Sequence, residues 1–281
     1  SGDIPINDVI VDPSYFSSTR SGPGWPPRYI PVDVGPMSGF MVDNNQHRGD
    51  SAYLANPDLG NAQLVASVLE ASGFDVQGVP RVGSPPPSAI VVGERRSPTL
   101  AAMVDLILRR SDNEVAEALV RQIGLSEAGE SEIDVGKAVI YERVSQLGLD
   151  LGEPVGDGSG LSRQNRLSAR QLVGALRLGQ AQPWWDVVDN GLADAGARGT
   201  LEERLQSDNE IGEIRAKTGT LADVSALSGV ITTVDGVEVT FSFLINGQLD
   251  EDSVEIMDQI VVAFATATSD QLVSDLSERP S

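Results

Sequence analysis

The sequence predicts an α/β (α+β) fold in which helices combine with an antiparallel sheet, plus a small β-rich region at the start of the chain. Three observations carry this prediction. Two apolar, β-rich segments, Ala226–Thr233 and Val237–Ile245, are joined at Asp235-Gly236, a strong hairpin signal. Between residues 97 and 178 the apolar positions recur at helical spacing. The first 88 residues instead hold most of the prolines, including Pro26-Pro27 and Pro85-Pro86-Pro87, and few helical patterns.

Taken in order, Val9-Ile10-Val11 is strand-like, and Asp12-Pro13-Ser14 and Gly22-Pro23-Gly24-Trp25 are turn signals. One helix interrupts them over Gly60–Gly73, with Leu64, Val65, Val68 and Leu69 on one face, and Phe74 to Val79 alternates as a strand. The change of texture near Ser88 divides the chain into residues 1–88, a β-rich accessory domain, and residues 89–281. Ala89-Ile90-Val91-Val92-Gly93 is a candidate buried strand. Ser97-Pro98 opens a helix striped by Leu100, Met103, Val104 and Ile107, and a second follows with Val115, Ala118, Leu119 and Gln122 on its face. A long helix covers Glu132–Leu147, with Ile133, Ile140, Val144 and Leu147 in phase. The glycines of Gly156-Asp157-Gly158-Ser159-Gly160 match neither a nucleophile elbow nor a phosphate loop, so a rigid turn is the physical reading. Ser168 and Gln171 form a capping box for a helix through Leu172, Leu176 and Leu178.

Composition excludes several functions. Acidic residues number 41 against 20 basic ones, a net charge of −21, which argues against nucleic acid and anionic membranes as partners. No apolar run approaches the roughly 18 residues of a membrane span. With no cysteine, thiol chemistry, disulfides and zinc–thiolate sites are excluded. The single histidine, His47, lies in a polar loop-like cluster and reads as a surface residue. No metal or cofactor is expected.

Two short motifs are candidates for chemistry. Glu213 to Leu221 reads as a strand ending in a small-residue turn, with Lys217-Thr218-Gly219 beside the hairpin. There Lys217 offers a fixed positive charge, Thr218 a hydroxyl, and Gly219 room for a substrate backbone. The plainer reading is a solvated lysine guarding a sheet edge. Ser111-Asp112-Asn113 occupies a helix–helix junction, where these residues are also the preferred N-caps. The same triplet recurs at Ser207-Asp208-Asn209 in a polar loop, so one of the two is accidental.

Together these pieces resemble the DacB-type class C penicillin-binding proteins, which are D-alanyl-D-alanine carboxypeptidases and endopeptidases of peptidoglycan. The resemblance rests on Ser97-Pro98-Thr99-Leu100 before Arg109–Asn113, Glu114 to Glu117, Asp157 to Arg163 with Asn165-Arg166, Ala197 to Leu201, Ala216 to Leu221, Ser225 to Gly229 and Phe241 to Asn246, in the family's order. It favours Ser111–Asn113 over the copy at Ser207. It implies a penicillin-binding, β-lactamase-like domain that acts on stem peptides ending in D-Ala-D-Ala, is inhibited by β-lactams, and is exported to the cell envelope. In that chemistry Ser111 relays protons and Asn113 holds the substrate amide carbonyl. Lys217 supplies positive potential, the Thr218 and Thr220 hydroxyls bind the substrate carboxylate, and the Thr220 N–H is one of two oxyanion donors. The substrate would run antiparallel to the Arg215–Thr220 strand.

One departure is decisive for the chemistry. The family's acylated serine lies in Ser-x-x-Lys, yet Asp134 stands three residues before Lys137 and Ile214 three before Lys217, and these are the chain's only lysines. The expectation is therefore that the sequence is the C-terminal part of a longer protein. Its N-terminal segment would carry the nucleophile, and this part alone would fold poorly and be inactive. A catalytically inactive peptidoglycan-binding or scaffold homologue, and a structural fragment, are the alternatives.

Overall fold

The computed structural model describes residues 5–47, 52–206, 211–247 and 251–272. In chain order the first elements are β1 (Ile10–Val11), α1 (Pro57–Ala71), β2 (Arg81–Val82), α2 (Leu100–Arg110), α3 (Asn113–Ala128) and α4 (Ile133–Gln146). There follow α5 (Ala169–Gln180), α6 (Trp185–Gly191), β3 (Ala193–Asp194), β4 (Ile214–Leu221), β5 (Val224–Thr232), β6 (Glu238–Asn246) and α7 (Glu251–Thr266). Spatial contacts group the chain into two units: Ser1–Ser97 with Asn113–Glu142 and Pro154–Asn165, and Pro98–Asp112 with Arg143–Glu153 and Arg166–Ser281. This grouping is drawn by contact, whereas the division near Ser88 is drawn along the chain.

In the first unit, the proline- and glycine-rich segment leaves little room for ladders. β1 and β2 pair in parallel over two residues, Ile10 with Arg81 and Val11 with Val82, and Ile6 and Val76 add a single bridge. α1 starts at Asn56, whose side chain accepts the Leu59 N–H at 3.3 Å, with Pro57 in the first turn where its missing N–H costs nothing. Its buried side is Asp58, Asn61, Ala62 and Ala66. Two of its polar members are tied to neighbours: Ser38 Oγ donates to Asp58 at 2.5 Å, and Asn61 Nδ2 donates to Asn45 Oδ1 at 2.9 Å, while Asn61 Oδ1 is buried without a hydrogen-bond partner among the described residues. α3 buries Glu114, Glu117 and Arg121 along with Ala116 and Val120. Glu117 and Arg121 form an i,i+4 ion pair at 3.2 Å with both side chains at 0% exposure. The second oxygen of Glu117 accepts the N–H groups of Gly158 and Ser159 at 2.9 and 2.8 Å. Asp157 ties up the same turn, accepting from Ser162 N at 2.6 Å, Trp25 Nε1 at 2.8 Å and Asn165 Nδ2 at 2.9 Å. The turn read as rigid from its glycines is thus held by two carboxylates. Burial, and then the negative charge of Asp157, push the Glu117 carboxyl above its ordinary pKa. α3 and the start of α4 approach closely at Gly136, where a Cβ would come within 2.0 Å of the Val120 carbonyl oxygen.

The second unit is built on the antiparallel sheet β3-β4-β5-β6. β4 and β5 pair from Ile214–Ile231 to Leu221–Val224, and β5 and β6 from Val224–Asn246 to Thr232–Glu238. The β5–β6 turn falls at Asp235-Gly236, as its hairpin signal indicates, with Gly236 at φ +85°. Strand alternation sends Ile214, Ala216, Leu227, Ile231 and Phe241 to one face, where Met257, Val261 and Ala265 of α7 complete the core. α5 covers the other face, and Thr240 Oγ1 donates to Gln180 Oε1 at 3.2 Å. Its capping box at Ser168 and Gln171 forms as read from the sequence. α2 lies against α6, Leu108 Cδ1 standing 3.2 Å from where a Cβ on Gly191 would sit.

Several local expectations are corrected. Ala89–Gly93 is not a buried strand: it has no regular structure, and Val92 is 94% exposed. A run of apolar residues becomes a strand only where a partner ladder exists, and among the described residues none pairs with it. The strand over Phe74–Val79 shrinks to the bridge at Val76. Val68 of α1 and Leu100 of α2 are exposed, although both lay on the expected apolar faces. On α3 the buried side is the one carrying Glu114, Glu117 and Arg121, opposite in character to the face at Val115, Ala118, Leu119 and Gln122. Paired and hydrogen-bonded charges can occupy a buried face, but hydrophobic periodicity cannot see them. Ser207–Asn209 lies outside the described residues.

Breaking the buried pair tests this. Arg121→Met alone leaves Glu117 buried without its counter-charge and should lower the free energy of urea unfolding by about 3–5 kcal/mol. Adding Glu117→Gln, which keeps an acceptor for Gly158 and Ser159, should recover most of the loss. Equal losses in the single and double variants would mean that charge pairing is not what the site requires.

Candidate active site

β4 supplies the first group. Because Ile214 and Ala216 point into the core, Lys217 projects from the opposite face. On its outer edge β4 pairs with β3 only at Arg215 and Ala216, opposite Asp194 and Ala193. From Lys217 onward no strand occupies that edge among the described residues. The backbone of Lys217–Leu221 is thus unpaired on that edge among the described residues, while Arg215 and Ala216 are paired with β3. Arg215 is held instead by Asp189 at 2.9 Å, which fixes the strand just before the site.

The second group comes from the end of α2. Thr99 caps the start of that helix, accepting the Ala102 N–H at 3.3 Å. Ser111 ends it in the left-handed region at φ 59°, ψ 45°, with its N–H on the Leu106 carbonyl. Glycine is the usual residue in this conformation, and a serine there carries backbone strain that the surroundings must hold. The consequence is a side chain aimed at the sheet: Lys217 Nζ donates to Ser111 Oγ at 2.8 Å across 106 residues of sequence. The same amine donates to the Thr218 carbonyl at 2.6 Å. Burial lowers the Lys217 pKa from 10.5 to about 8. With the amine donating, the Ser111 hydroxyl keeps its own proton for another acceptor. An amine with a pKa near 8 can both hold and release a proton close to neutrality, which is what a relay needs.

The remaining expected residues fall as follows. Thr218 Oγ1 donates to Thr200 Oγ1 at 2.8 Å, so Thr200 belongs to the site although no role was read for it from the sequence. Its only signal there was its place in Ala197-Arg198-Gly199-Thr200-Leu201. Gly219 has the Ala226 Cβ 3.3 Å from where its own Cβ would sit, and Thr220 is exposed. Asn113 begins α3 in the first unit, where its Nδ2 lies 3.4 Å from the Asp33 carbonyl. His47 is exposed. Among the described residues no group of three or more His, Cys, Asp or Glu is placed to hold a metal, and no helix is long and apolar enough to cross a membrane.

Comparison with known proteins then decides the family. The model of the D-Ala-D-Ala carboxypeptidase 3 (S13) family matches residues 38–267. The chain belongs to that family. It is 34% identical over 268 residues to a D-alanyl-D-alanine carboxypeptidase of Actinomadura sp. (strain R39), covering 92% of this chain and 47% of the relative. It is 29% identical over 254 residues to carboxypeptidase DacB of Mycolicibacterium smegmatis, covering 86% of this chain and 55% of the relative. The chain thus spans about half the length of these relatives. Its fold matches the crystal structure of penicillin-binding protein 4 (dacB) from Haemophilus influenzae at a TM-score of 0.74 and 20% identity, over 97% of this chain and 75% of that one. A structure of the same protein complexed with a β-lactam matches at a TM-score of 0.64 and 25% identity, over 75% of this chain and 51% of that one. The motif-based resemblance to DacB-type class C penicillin-binding proteins and the penicillin-binding fold class agree with these findings.

The sequence allows a direct test of the amine. With only Lys137 and Lys217 present, 15N-lysine labelling gives two side-chain resonances, assignable through Lys137→Arg. The Lys217 resonance should titrate near pH 8. A depressed amine pKa also means that stability contributed by this group is present above 10.5 and is lost as pH falls through 8. A midpoint near 10.5 would show that the amine is solvated and not held against Ser111.

Proposed function

We propose that the protein to which this chain belongs is a serine-type D-alanyl-D-alanine carboxypeptidase and endopeptidase that cleaves peptidoglycan stem peptides through an acyl-enzyme, outside the cytoplasm. The Lys217–Ser111 hydrogen bond, at the open edge of a strand that continues into Thr218-Gly219-Thr220, carries this reading in a chain of the S13 family. Neither lysine completes a Ser-x-x-Lys motif, so the acylated serine and its own lysine belong to a segment outside these 281 residues.

In the proposed reaction that serine loses its proton to the neighbouring lysine and attacks the carbonyl of the penultimate D-alanine. Ser111 passes a proton to the departing amine, and D-alanine leaves. Water then attacks the ester and frees the serine. The peptide adds to the free edge of β4 as an extra antiparallel strand, with its carboxylate at the Thr218 and Thr220 hydroxyls and the Lys217 charge nearby. The Thr220 N–H and that of the acylated serine form the oxyanion hole. Positive charge at Lys217 matters because a net charge of −21 otherwise repels an anionic peptide, and the same amine, bonded to Ser111 Oγ, shares in the proton relay. β-Lactams enter the same site and remain as the acyl-enzyme.

The competing reading, a peptidoglycan-binding homologue without activity, keeps the same pocket and lacks the nucleophile in the complete protein as well. Mass spectrometry after incubation with penicillin separates the two. The 281-residue chain alone should form no adduct and release no D-alanine. The complete protein, or this chain supplied with the additional segment as a separate polypeptide, should form one adduct on a serine of that segment. An adduct on Ser111 or any other serine of this chain would show that the nucleophile is misassigned. A complete protein without an adduct would favour the binding homologue.

A further inference from the structure

We propose that a basic cleft at the C-terminal end of α2 is a subsite for a second carboxylate on the leaving-group side, so that peptides whose leaving residue bears a side-chain carboxylate are preferred over those ending in D-alanine. The inference rests on the acyl-transfer reading of the Ser111–Lys217 site and specifies which substrates that site takes.

The cleft has a volume of about 580 Å³ and lies wholly in the second unit, with Arg109, Arg110, Arg198, Thr200 and Glu202 among its walls. Two of these walls connect it to the site. Arg110 immediately precedes Ser111, and Thr200 is bonded to Thr218 at 2.8 Å. The cleft therefore reaches Thr200, one hydrogen bond from Thr218, which the proposed reaction sets at the carboxylate of the departing residue.

Its charges are arranged unequally. Arg109 pairs with Asp105 and donates to the Asn190 carbonyl at 3.0 Å. Arg198 pairs with Asp194 and reaches the same Asn190 carbonyl at 3.0 Å. Both guanidiniums are thereby held in place with their charge largely met. Arg110 is exposed and has no ion pair or side-chain hydrogen bond among the described residues. Glu202 is the one acidic wall residue, so the cleft is basic within a chain whose acids outnumber its bases 41 to 20. A guanidinium without an ion pair, in a cleft whose other two arginines are anchored, offers a planar fork to a carboxylate. D-Alanine as leaving residue has a single carboxylate, which the threonines take, and leaves Arg110 unused. A leaving residue with a second carboxylate satisfies both.

The test uses the complete protein and two peptides, diacetyl-L-Lys-D-Ala-D-Ala and diacetyl-L-Lys-D-Ala-D-Glu. Calorimetric affinity and hydrolysis are both measured, and penicillin adduct formation is followed in the same samples. The D-Glu peptide should bind about fivefold more tightly, a preference of the size expected for one exposed charge-assisted contact. The ratio should fall to about one in Arg110→Ala, persist in part in Arg110→Lys, and shrink as salt is raised. Equal binding of the two peptides to the unaltered protein, binding of neither, or a ratio unmoved by Arg110→Ala would overturn the subsite. A preserved ratio without a penicillin adduct would reject acyl transfer and leave the subsite standing. An adduct without the ratio would reject the subsite alone.

Discussion

The Lys217 ammonium is placed where burial brings its pKa to about 8, with Ser111 Oγ 2.8 Å away, and much of the second unit is arranged so that these groups stay together. Keeping an amine charged in such a place costs about 3 kcal/mol relative to water. The fold offsets that cost from two directions. β4 is fixed from one side by Ile214 and Ala216 in the core and by the Arg215–Asp189 pair just before Lys217. α2 is stopped by a left-handed serine, so that the helix end delivers a hydroxyl to the amine. An ordinary glycine cap at position 111 would relieve the strain and remove the hydroxyl that Lys217 donates to.

Different parts of this arrangement were legible to different degrees. The β5–β6 hairpin was written at Asp235-Gly236, and the start of α5 at Ser168 and Gln171, because both depend on local chemistry. The juxtaposition of Ser111 and Lys217 depends on contacts across 106 residues, and no local pattern contains it. It became readable only through the order of the motifs and their resemblance to a family. Thr200 stayed unassigned because a hydroxyl–hydroxyl contact leaves no trace in periodicity. The buried side of α3 was misread for a related reason: Glu117 and Arg121 look like surface residues until their partners are known. Ile90–Val92 was misread in the opposite sense, since apolar residues predict burial only where something covers them.

Charge distribution links the site to its proposed substrates. A chain with 41 acids and 20 bases repels carboxylate-bearing peptides at long range, so recognition must come from short-range, directed groups. In the proposed function Lys217, the threonines of β4 and Arg110 are such groups, and all of them belong to one unit. In the first unit, by contrast, Glu117 and Arg121 pair with each other, and Glu117 and Asp157 accept backbone N–H groups that fix a turn.

The central claim is that Ser111 and Lys217 act as one proton-transferring unit. A double-mutant cycle on the rate of acylation by penicillin in the complete protein measures this most directly. Groups that work as a unit are non-additive. If they do, Ser111→Ala and Lys217→Met should each lower the rate by about a hundredfold or more, and the double variant should be less than about tenfold worse than the weaker single one. Losses that multiply would show two independent residues that merely lie close together, and would contradict the account.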